Sequence, residues 1–191
     1  MRAFTFENAT KIYFGGGCVK EHLLEAVKPY GETVMLAYGG GSIKTNGIYQ
    51  EVMDVLKLAG KQVIEFSGIM PNPTYSKVME GKKVVQENQV DLILAVGGGS
   101  VMDCSKAISM AAATDKDVWE EYWIKKGEID FEPVPVGVIV TVVGTGSEVN
   151  GEGVITHEEQ KIKTSRNYPR CNPVFAMMDP KYTYTVSPLQ T

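Results

Sequence analysis

Short apolar runs alternate with longer amphipathic stretches along most of the chain. The runs have the length of strands, and nearly continuous hydrophobic runs are typical of strands that are covered on both faces. They are TVMLAY (33–38), QVIEFSG (62–68), VDLILAV (90–96) and PVGVIVTVV (135–143). Amphipathic stretches follow the first three at helical spacing, as Ile48, Val52 and Val55 illustrate. This order predicts an α/β fold in which a parallel sheet has right-handed crossovers and helices on both faces.

Capping residues, prolines and glycines indicate where the other elements begin and end. Helices are predicted at 18–30, 44–60, 75–89 and 100–114, and a short helix and loop at 115–132. Alternating patterns add strands near both ends of the chain. Two short strands or a hairpin are predicted from Phe4, Phe6, Ile12 and Phe14, and a late hairpin from residues 151–165.

Glycine clusters follow three of the predicted strands, at 39–41, 97–99 and in GTGSE (144–148). Ligands of open α/β sheets bind outside the carboxyl ends of the strands, and glycine lets a ligand approach the backbone amides. The helix after Gly99 begins near Ser100, and its free amides suit a pyrophosphate. The spacing matches neither GxGxxG nor the P-loop, which disfavours a kinase or NTPase. Any single cluster has the alternative interpretation of a tight strand-to-helix turn.

The composition disfavours nucleic acid and membranes as binding partners. The net charge of −4 gives no electrostatic footprint for nucleic acid or an anionic membrane. No apolar run approaches the ~20 residues of a membrane helix, and the N-terminus does not resemble a signal peptide. Three cysteines without a CxxC pair, Cys18, Cys104 and Cys171, favour free thiols in a reducing, cytoplasmic compartment.

Several segments carry a family resemblance in the expected order: YGGGSIKTNGIYQEV, PNPT, DLILAVGGGSVMDCSKAI, GTGSE and PVFAMMDPKYTYTVSPLQT. Through them the chain resembles the iron-containing (group III) alcohol dehydrogenases, in their butanol dehydrogenase-like branch. The resemblance implies a Rossmann-like domain that binds NAD or NADP, followed in the family by a helical domain that carries a divalent metal, iron or zinc. It also implies a small alcohol or aldehyde substrate, and a homodimer through the strands at 4–14.

The resemblance carries roles over to individual residues. It assigns the cofactor pyrophosphate to Gly97, Gly98, Gly99, Ser100 and Asp103, and the nicotinamide side to Thr141 and Thr145. Lys163 corresponds to a lysine that reaches the cofactor ribose, with Lys161 as a rival, and Asn72 and Pro73 border the cleft. Simpler roles stay open: Asp103 as a first-turn carboxylate, Asn72 as a helix cap, and the lysines as solvated hairpin charges.

The strand end at Gly39, Gly40, Gly41 and Ser42 bears on the choice of cofactor. Dehydrogenases that prefer NAD often place a carboxylate there for the ribose 2′-hydroxyl. This loop has none, and Lys44 lies just beyond it. The sequence therefore predicts NADP over NAD.

In the family, the metal ligands follow a segment like SPLQT. Neither His22 nor His157 matches a ligand position, and both are interpreted as surface or capping residues. Residues 1–191 are therefore predicted to be the cofactor-binding part of a metal-dependent oxidoreductase, with no metal ligand or catalytic residue of their own and little turnover alone. The alternatives are a non-catalytic nucleotide-binding module and a lyase domain of the dehydroquinate synthase type.

Overall fold

The computed structural model describes residue 3 and residues 8–187. Within these residues six parallel strands form one sheet, in the order β1-β8-β5-β4-β2-β3. The strands of this sheet are β1 (Lys11–Phe14), β2 (Thr33–Tyr38), β3 (Gln62–Phe66), β4 (Leu92–Gly97), β5 (Val136–Val140) and β8 (Phe175–Met178). A separate antiparallel hairpin consists of β6 (Glu152–His157) and β7 (Ile162–Asn167). The α-helices are α1 (Cys18–Val27), α2 (Ser42–Thr45), α3 (Ile48–Leu58), α4 (Tyr75–Glu87) and α5 (Gly99–Ala112).

Both faces of the sheet are covered by helices, as the apolar runs predict. Alternate side chains of β2 enter two different cores: Met35 and Ala37 pack with residues of α4 and α5, whereas Val34 and Leu36 pack with residues of α1 and α3. Because both sets of side chains are buried, the strand has no polar face. The α/β fold with a parallel sheet and helices on both faces is thus confirmed.

The direction of winding reverses between β2 and β4, which lie side by side in the sheet. The helix that follows β2 and α2 packs on one face, and the helix that follows β4 packs on the other. Such a reversal opens a crevice at the carboxyl ends of the two strands, where open α/β sheets bind their ligands. The fold therefore places two glycine clusters at the edges of one crevice.

Three elements differ from the sequence prediction. The predicted helix 44–60 is two helices, α2 and α3, separated at Asn46 and Gly47. The stretch 115–132 contains a π-helical turn at Trp119–Ile124. Strand β8 has only four residues and was not predicted; it inserts between β5 and β1. Strand β1 consequently pairs in parallel with β8, while Phe4 and Phe6 of the predicted N-terminal hairpin lie outside the described residues.

The late hairpin is confirmed and packs against α5 and the loop before α4. The Val154 amide donates to Asp103 Oδ2 on α5 at 3.1 Å, and the Thr156 amide donates to the Pro73 carbonyl at 2.9 Å. These bonds bring β6 and β7 over the face that carries α4 and α5. The hairpin is therefore tied to the same end of the molecule as the crevice.

The three cysteines are free and buried, as predicted. Burial raises the pKa of the Cys104 and Cys171 thiols to about 12, so both are neutral at physiological pH. They act as small apolar side chains of the core. Among residues 3 and 8–187, no helix has the length and apolar character needed to cross a membrane.

Candidate dinucleotide site

The three glycine clusters lie at one edge of the sheet. Strands β2, β4 and β5 are consecutive neighbours and run in parallel, with Tyr38 opposite Val96 and Gly97 opposite Val140. The Thr141 amide donates to the Gly97 carbonyl at 3.0 Å, which ties the loop after β5 to the loop after β4. Residues 39–42, 97–100 and 144–147, which contain the three glycine clusters, therefore converge at one crevice of the fold.

The reason for glycine at 97–99 is not the one expected from the sequence. A Cβ on Gly97 would lie 2.6 Å from the Val101 side chain, and a Cβ on Gly99 would lie 2.6 Å from the Thr145 side chain. Both distances are too short for real carbon contacts. The missing side chains are thus required by the protein's own packing, which draws the GTGSE loop over the start of α5.

Room for a ligand exists instead at Gly40 and Gly41. A Cβ at either position would meet nothing within 4 Å, and Gly41 has a φ of +102°, which favours glycine. Across the crevice, the amides of Gly99 and Ser100 are the first of α5 and have no acceptor inside the helix. An open cradle that faces free helix amides fits a phosphate-bearing dinucleotide.

Asp103 is held by the protein itself. Its Oδ1 accepts from Ser147 Oγ at 2.5 Å and its Oδ2 accepts from the Val154 amide. Burial raises the pKa of this carboxyl, against the opposing effects of Ser147 and Lys106. Asp103 lies beyond the first turn of α5, so the simple first-turn role is wrong, whereas its role in the pyrophosphate segment stays a prediction. The contacts favour Asp103 as a positioning residue that fastens α5 to the GTGSE loop and the hairpin.

Lys106 completes this network and was missed in the sequence. Its side chain is almost fully buried. The ammonium donates to the Ser147 carbonyl at 3.0 Å, to Ser147 Oγ at 2.7 Å and to the Asn150 carbonyl at 3.0 Å. Burial lowers its pKa to about 8. The DCSKAI motif thus contributes a buried lysine that fixes the turn beyond Thr145.

Thr141 and Thr145 lie on the loop that leaves β5. The Thr145 side chain is exposed, and its Oγ1 accepts from the Ser147 amide at 3.2 Å. Val142 and Val143 beside it are 42% and 45% exposed. This loop therefore presents hydroxyl and apolar groups beside the start of α5, and the nicotinamide role of the two threonines stays a prediction.

Lys163 and Asn72 are brought together, although 90 residues of chain separate them in the sequence. Lys163 Nζ donates to Asn72 Oδ1 at 2.5 Å. Asn72 adopts a left-handed backbone with a φ of +56°. Lys161 is exposed at the hairpin turn, so Lys163 is the lysine that reaches the loop before α4. Asn72 does not cap α4; the cap is Thr74, whose side chain accepts from the Lys77 amide at 3.3 Å.

A carboxylate stands beside the 39–42 loop, contrary to the interpretation of the sequence. Glu65 on the neighbouring strand β3 accepts from Lys44 Nζ at 3.0 Å, from the Tyr38 hydroxyl at 2.5 Å and from the Tyr49 hydroxyl at 2.7 Å. These bonds, chiefly the one from Tyr38, lower the pKa of Glu65 to about 2. The cation predicted to favour NADP is therefore paired with an ionised carboxylate.

In the described part of the chain, no group of three or more His, Cys, Asp or Glu side chains could hold a metal ion. His22 stacks on Tyr13 with ring centroids 4.9 Å apart, and His157 packs against Tyr75 and Trp119 at 5.2 and 5.0 Å. The described residues thus do not fit a metal centre.

A parallel sheet with glycine-rich strand ends on both sides of a switch point defines a Rossmann-like α/β domain. The sequence model of the family described as "Iron-containing alcohol dehydrogenase" matches residues 9–180. The chain belongs to this family.

Similar proteins agree with this assignment. The chain is 45% identical over 97% of its length to the "Probable NADH-dependent butanol dehydrogenase 1" of Bacillus subtilis, and covers 47% of that protein. It is 39% identical over its whole length to the "NADPH-dependent aldehyde reductase YqhD" of Escherichia coli, and covers 48% of it. The crystal structure of NADH-dependent butanol dehydrogenase A from Thermotoga maritima superposes on all of the chain and 48% of its own, with a TM-score of 0.92 at 38% identity. The chain thus spans about half the length of the curated relatives it matches.

Proposed function

We propose that this chain is the dinucleotide-binding part of an NAD(P)-linked alcohol dehydrogenase or aldehyde reductase that acts on a small alcohol or aldehyde. The observation that carries the proposal is the crevice between β2 and β4, where the open Gly40–Gly41 cradle faces the free amides of α5. The names of the relatives, which are butanol dehydrogenases and an aldehyde reductase, support the substrate class. The buried free thiols support a reducing, cytoplasmic compartment.

The residues of the crevice divide the work of binding. A bound nicotinamide would supply the hydride that the reaction transfers. The amides of Gly99 and Ser100 donate to the pyrophosphate, and the α5 dipole adds to its attraction. Asp103 and Lys106 hold the GTGSE loop so that Thr141 and Thr145 border the nicotinamide side. Lys163, beside Asn72, supplies a hydrogen bond to the ribose.

We further propose that NADPH binds more tightly than NADH, since Gly39–Ser42 contain no carboxylate and Lys44 neutralises the Glu65 carboxylate beside the loop. Titration of the 191-residue chain with each reduced cofactor, followed by nicotinamide fluorescence, measures both dissociation constants. We expect both cofactors to bind, with a modest preference for NADPH. Failure of both to bind at millimolar concentration contradicts the dinucleotide proposal, and a preference of about tenfold or more for NADH contradicts only the choice of NADPH.

Lys163→Met is expected to weaken binding of either cofactor about tenfold, because a hydrogen bond from a charged donor contributes about 1.5–3 kcal/mol. Lys161→Met is the matched control: it removes the same charge from the same hairpin, two residues away at the exposed turn. Its affinity should stay within about twofold of the original, a difference of about 0.4 kcal/mol. Equal losses in the two variants would show that Lys163 acts only through the overall charge of the hairpin.

A further inference from the structure

The side chains around Lys44 form a partly exposed cluster that we call the Glu65 cluster: Tyr38, Lys44, Tyr49 and Glu65. Four elements contribute to it, the end of β2, α2, α3 and β3. The Lys44 ammonium lies 5.3 Å from the ring centroid of Tyr38 and 4.5 Å from that of Tyr49, in addition to its ion pair with Glu65. Two tyrosine rings and a carboxylate thus surround the Lys44 ammonium and hold it in position.

The cluster adjoins the loop in which the cofactor preference was predicted. Tyr38 directly precedes Gly39, and Lys44 follows Ser42 by two residues. The segment after β3 also lies against this loop, since the Gly68 amide donates to the Gly39 carbonyl at 3.0 Å. A ligand group in the open Gly40–Gly41 cradle is therefore next to the Glu65 cluster.

The charges of the cluster cancel. Glu65 is ionised and Lys44 is protonated, because the hydrogen bonds within the cluster, that of Tyr38 first, lower the pKa of the carboxyl and raise the pKa of the amine. Both Glu65 oxygens accept hydrogen bonds, one from Tyr49 and the other from Tyr38 and Lys44. These bonds hold the carboxylate beside the Lys44 ammonium. The 2′-phosphate of NADPH carries about −1.5 to −2 charge at neutral pH, and it gains little from a neutral pair.

We propose that Glu65 is a specificity-determining residue that restrains Lys44 and thereby limits the preference of this site for NADPH over NADH. The inference rests on the proposed function, and it names the group that sets the balance between the two cofactors. Glu65 acts through Lys44 and is a positioning residue, since its oxygens face the cluster. NADH, which has a neutral 2′-hydroxyl, is affected little by the same pair.

The test is the ratio of the NADH to the NADPH dissociation constant, measured by fluorescence titration of the 191-residue chain without any turnover. Glu65→Gln keeps the shape and hydrogen-bonding capacity of the side chain and frees the Lys44 charge. We expect it to raise the ratio about tenfold, mainly through tighter NADPH binding. The gain should shrink at high salt, because the groups involved are partly exposed.

Two further variants separate the mechanism from a general charge effect. Glu87→Gln removes a carboxylate that pairs with Lys83 on α4, which packs on the opposite face of the sheet, and should leave the ratio unchanged. Lys44→Met should lower the ratio, because the unpaired Glu65 carboxylate then repels the 2′-phosphate. Glu65→Gln added to Lys44→Met should raise the ratio less than Glu65→Gln does in the original chain, because it relieves only this repulsion and frees no cation. Lys44→Met also keeps the inference testable if Glu65→Gln does not fold.

The outcomes distinguish the two proposals. If neither cofactor binds the original chain, the proposed function fails and the inference fails with it. If both bind and Glu65→Gln changes the ratio by less than about twofold, only the inference is overturned. A gain from Glu65→Gln that is equally large without Lys44, or an unchanged ratio in Lys44→Met, overturns the inference as well, because the restraint would not act through Lys44.

Discussion

Lys106→Met is expected to lower the free energy of unfolding by about 3 kcal/mol, because breaking a buried charge network leaves the remaining partner uncompensated. The Lys106 ammonium donates hydrogen bonds to Ser147 and Asn150 and lies 3.8 Å from Asp103 Oδ1. Methionine replaces the apolar stem at similar length, so the loss reports mainly on the ammonium. The GTGSE loop should loosen at the same time, since Ser147 loses two hydrogen bonds.

Urea unfolding followed by circular dichroism measures this loss. Lys83→Met is the matched control, because the Lys83 side chain on α4 is 74% exposed and pairs with Glu87 at 3.7 Å. Exposed ion pairs contribute little to stability, so the free energy of unfolding of the control should stay within about 0.5 kcal/mol of that of the original chain. A loss below about 1 kcal/mol for Lys106→Met would contradict a fastening role for the buried ammonium.

The pH dependence of the free energy of unfolding provides a second test of Lys106→Met. Burial lowers the pKa of Lys106 to about 8, although Asp103, Glu148 and Glu152 oppose the shift, whereas the unfolded chain keeps 10.5. Between these two pKa values the unfolded state binds more protons than the folded state. Lys106 therefore makes the free energy of unfolding increase as the pH is raised, and decrease as the pH is lowered toward 8. The unfolding free energy of the original chain minus that of Lys106→Met should therefore rise by about 1 kcal/mol from about pH 7 to about pH 9. A flat difference would mean that the buried amine keeps its ordinary affinity for protons.

Periodicity carried the prediction of the sheet because strands such as β2 and β4 are buried on both faces, and burial leaves a continuous apolar run in the sequence. Strand β8 gave a weaker signal. It has four residues, is followed closely by Pro180, and pairs with strands that are distant in the sequence. Its place between β5 and β1 depends on tertiary contacts that a local pattern does not contain.

The crevice at the carboxyl ends of the strands could be predicted from the sequence, but many contacts within it could not. Glycine after three strands indicates a crevice, because the carboxyl ends of parallel strands share one edge. Which glycines leave room for a ligand depends on neighbours such as Val101 and Thr145, and these are known only from the fold. Glu65 and Lys106 escaped notice for the same reason. A charged residue on a strand or helix has the same sequence signature whether it is solvated or held by partners from other elements.

Gly99→Ala is expected to weaken cofactor binding at least about 30-fold, since hydrogen bonds to a charged pyrophosphate contribute about 1.5–3 kcal/mol. The new Cβ would lie 2.6 Å from Cγ2, 3.0 Å from Oγ1 and 3.2 Å from Cβ of Thr145. Because all three side-chain atoms are near, no rotation of Thr145 relieves the clash. The start of α5 and the GTGSE loop must separate, which moves the Gly99 and Ser100 amides. Overpacking of this kind also lowers the free energy of unfolding by about 1–3 kcal/mol.

Two matched variants test the steric explanation in the same titrations and urea unfolding curves. Thr145→Gly added to Gly99→Ala removes every clashing atom, so it should recover most of the unfolding free energy and part of the affinity. Gly40→Ala places its Cβ in open space, more than 4 Å from any neighbouring heavy atom. It should leave stability within about 0.5 kcal/mol while weakening binding, because there the ligand and not the protein needs the room. If the double variant recovers no stability, Thr145 does not account for the glycine at position 99. If Gly40→Ala binds both cofactors as tightly as the original chain does, the Gly40–Gly41 cradle does not contact the ligand.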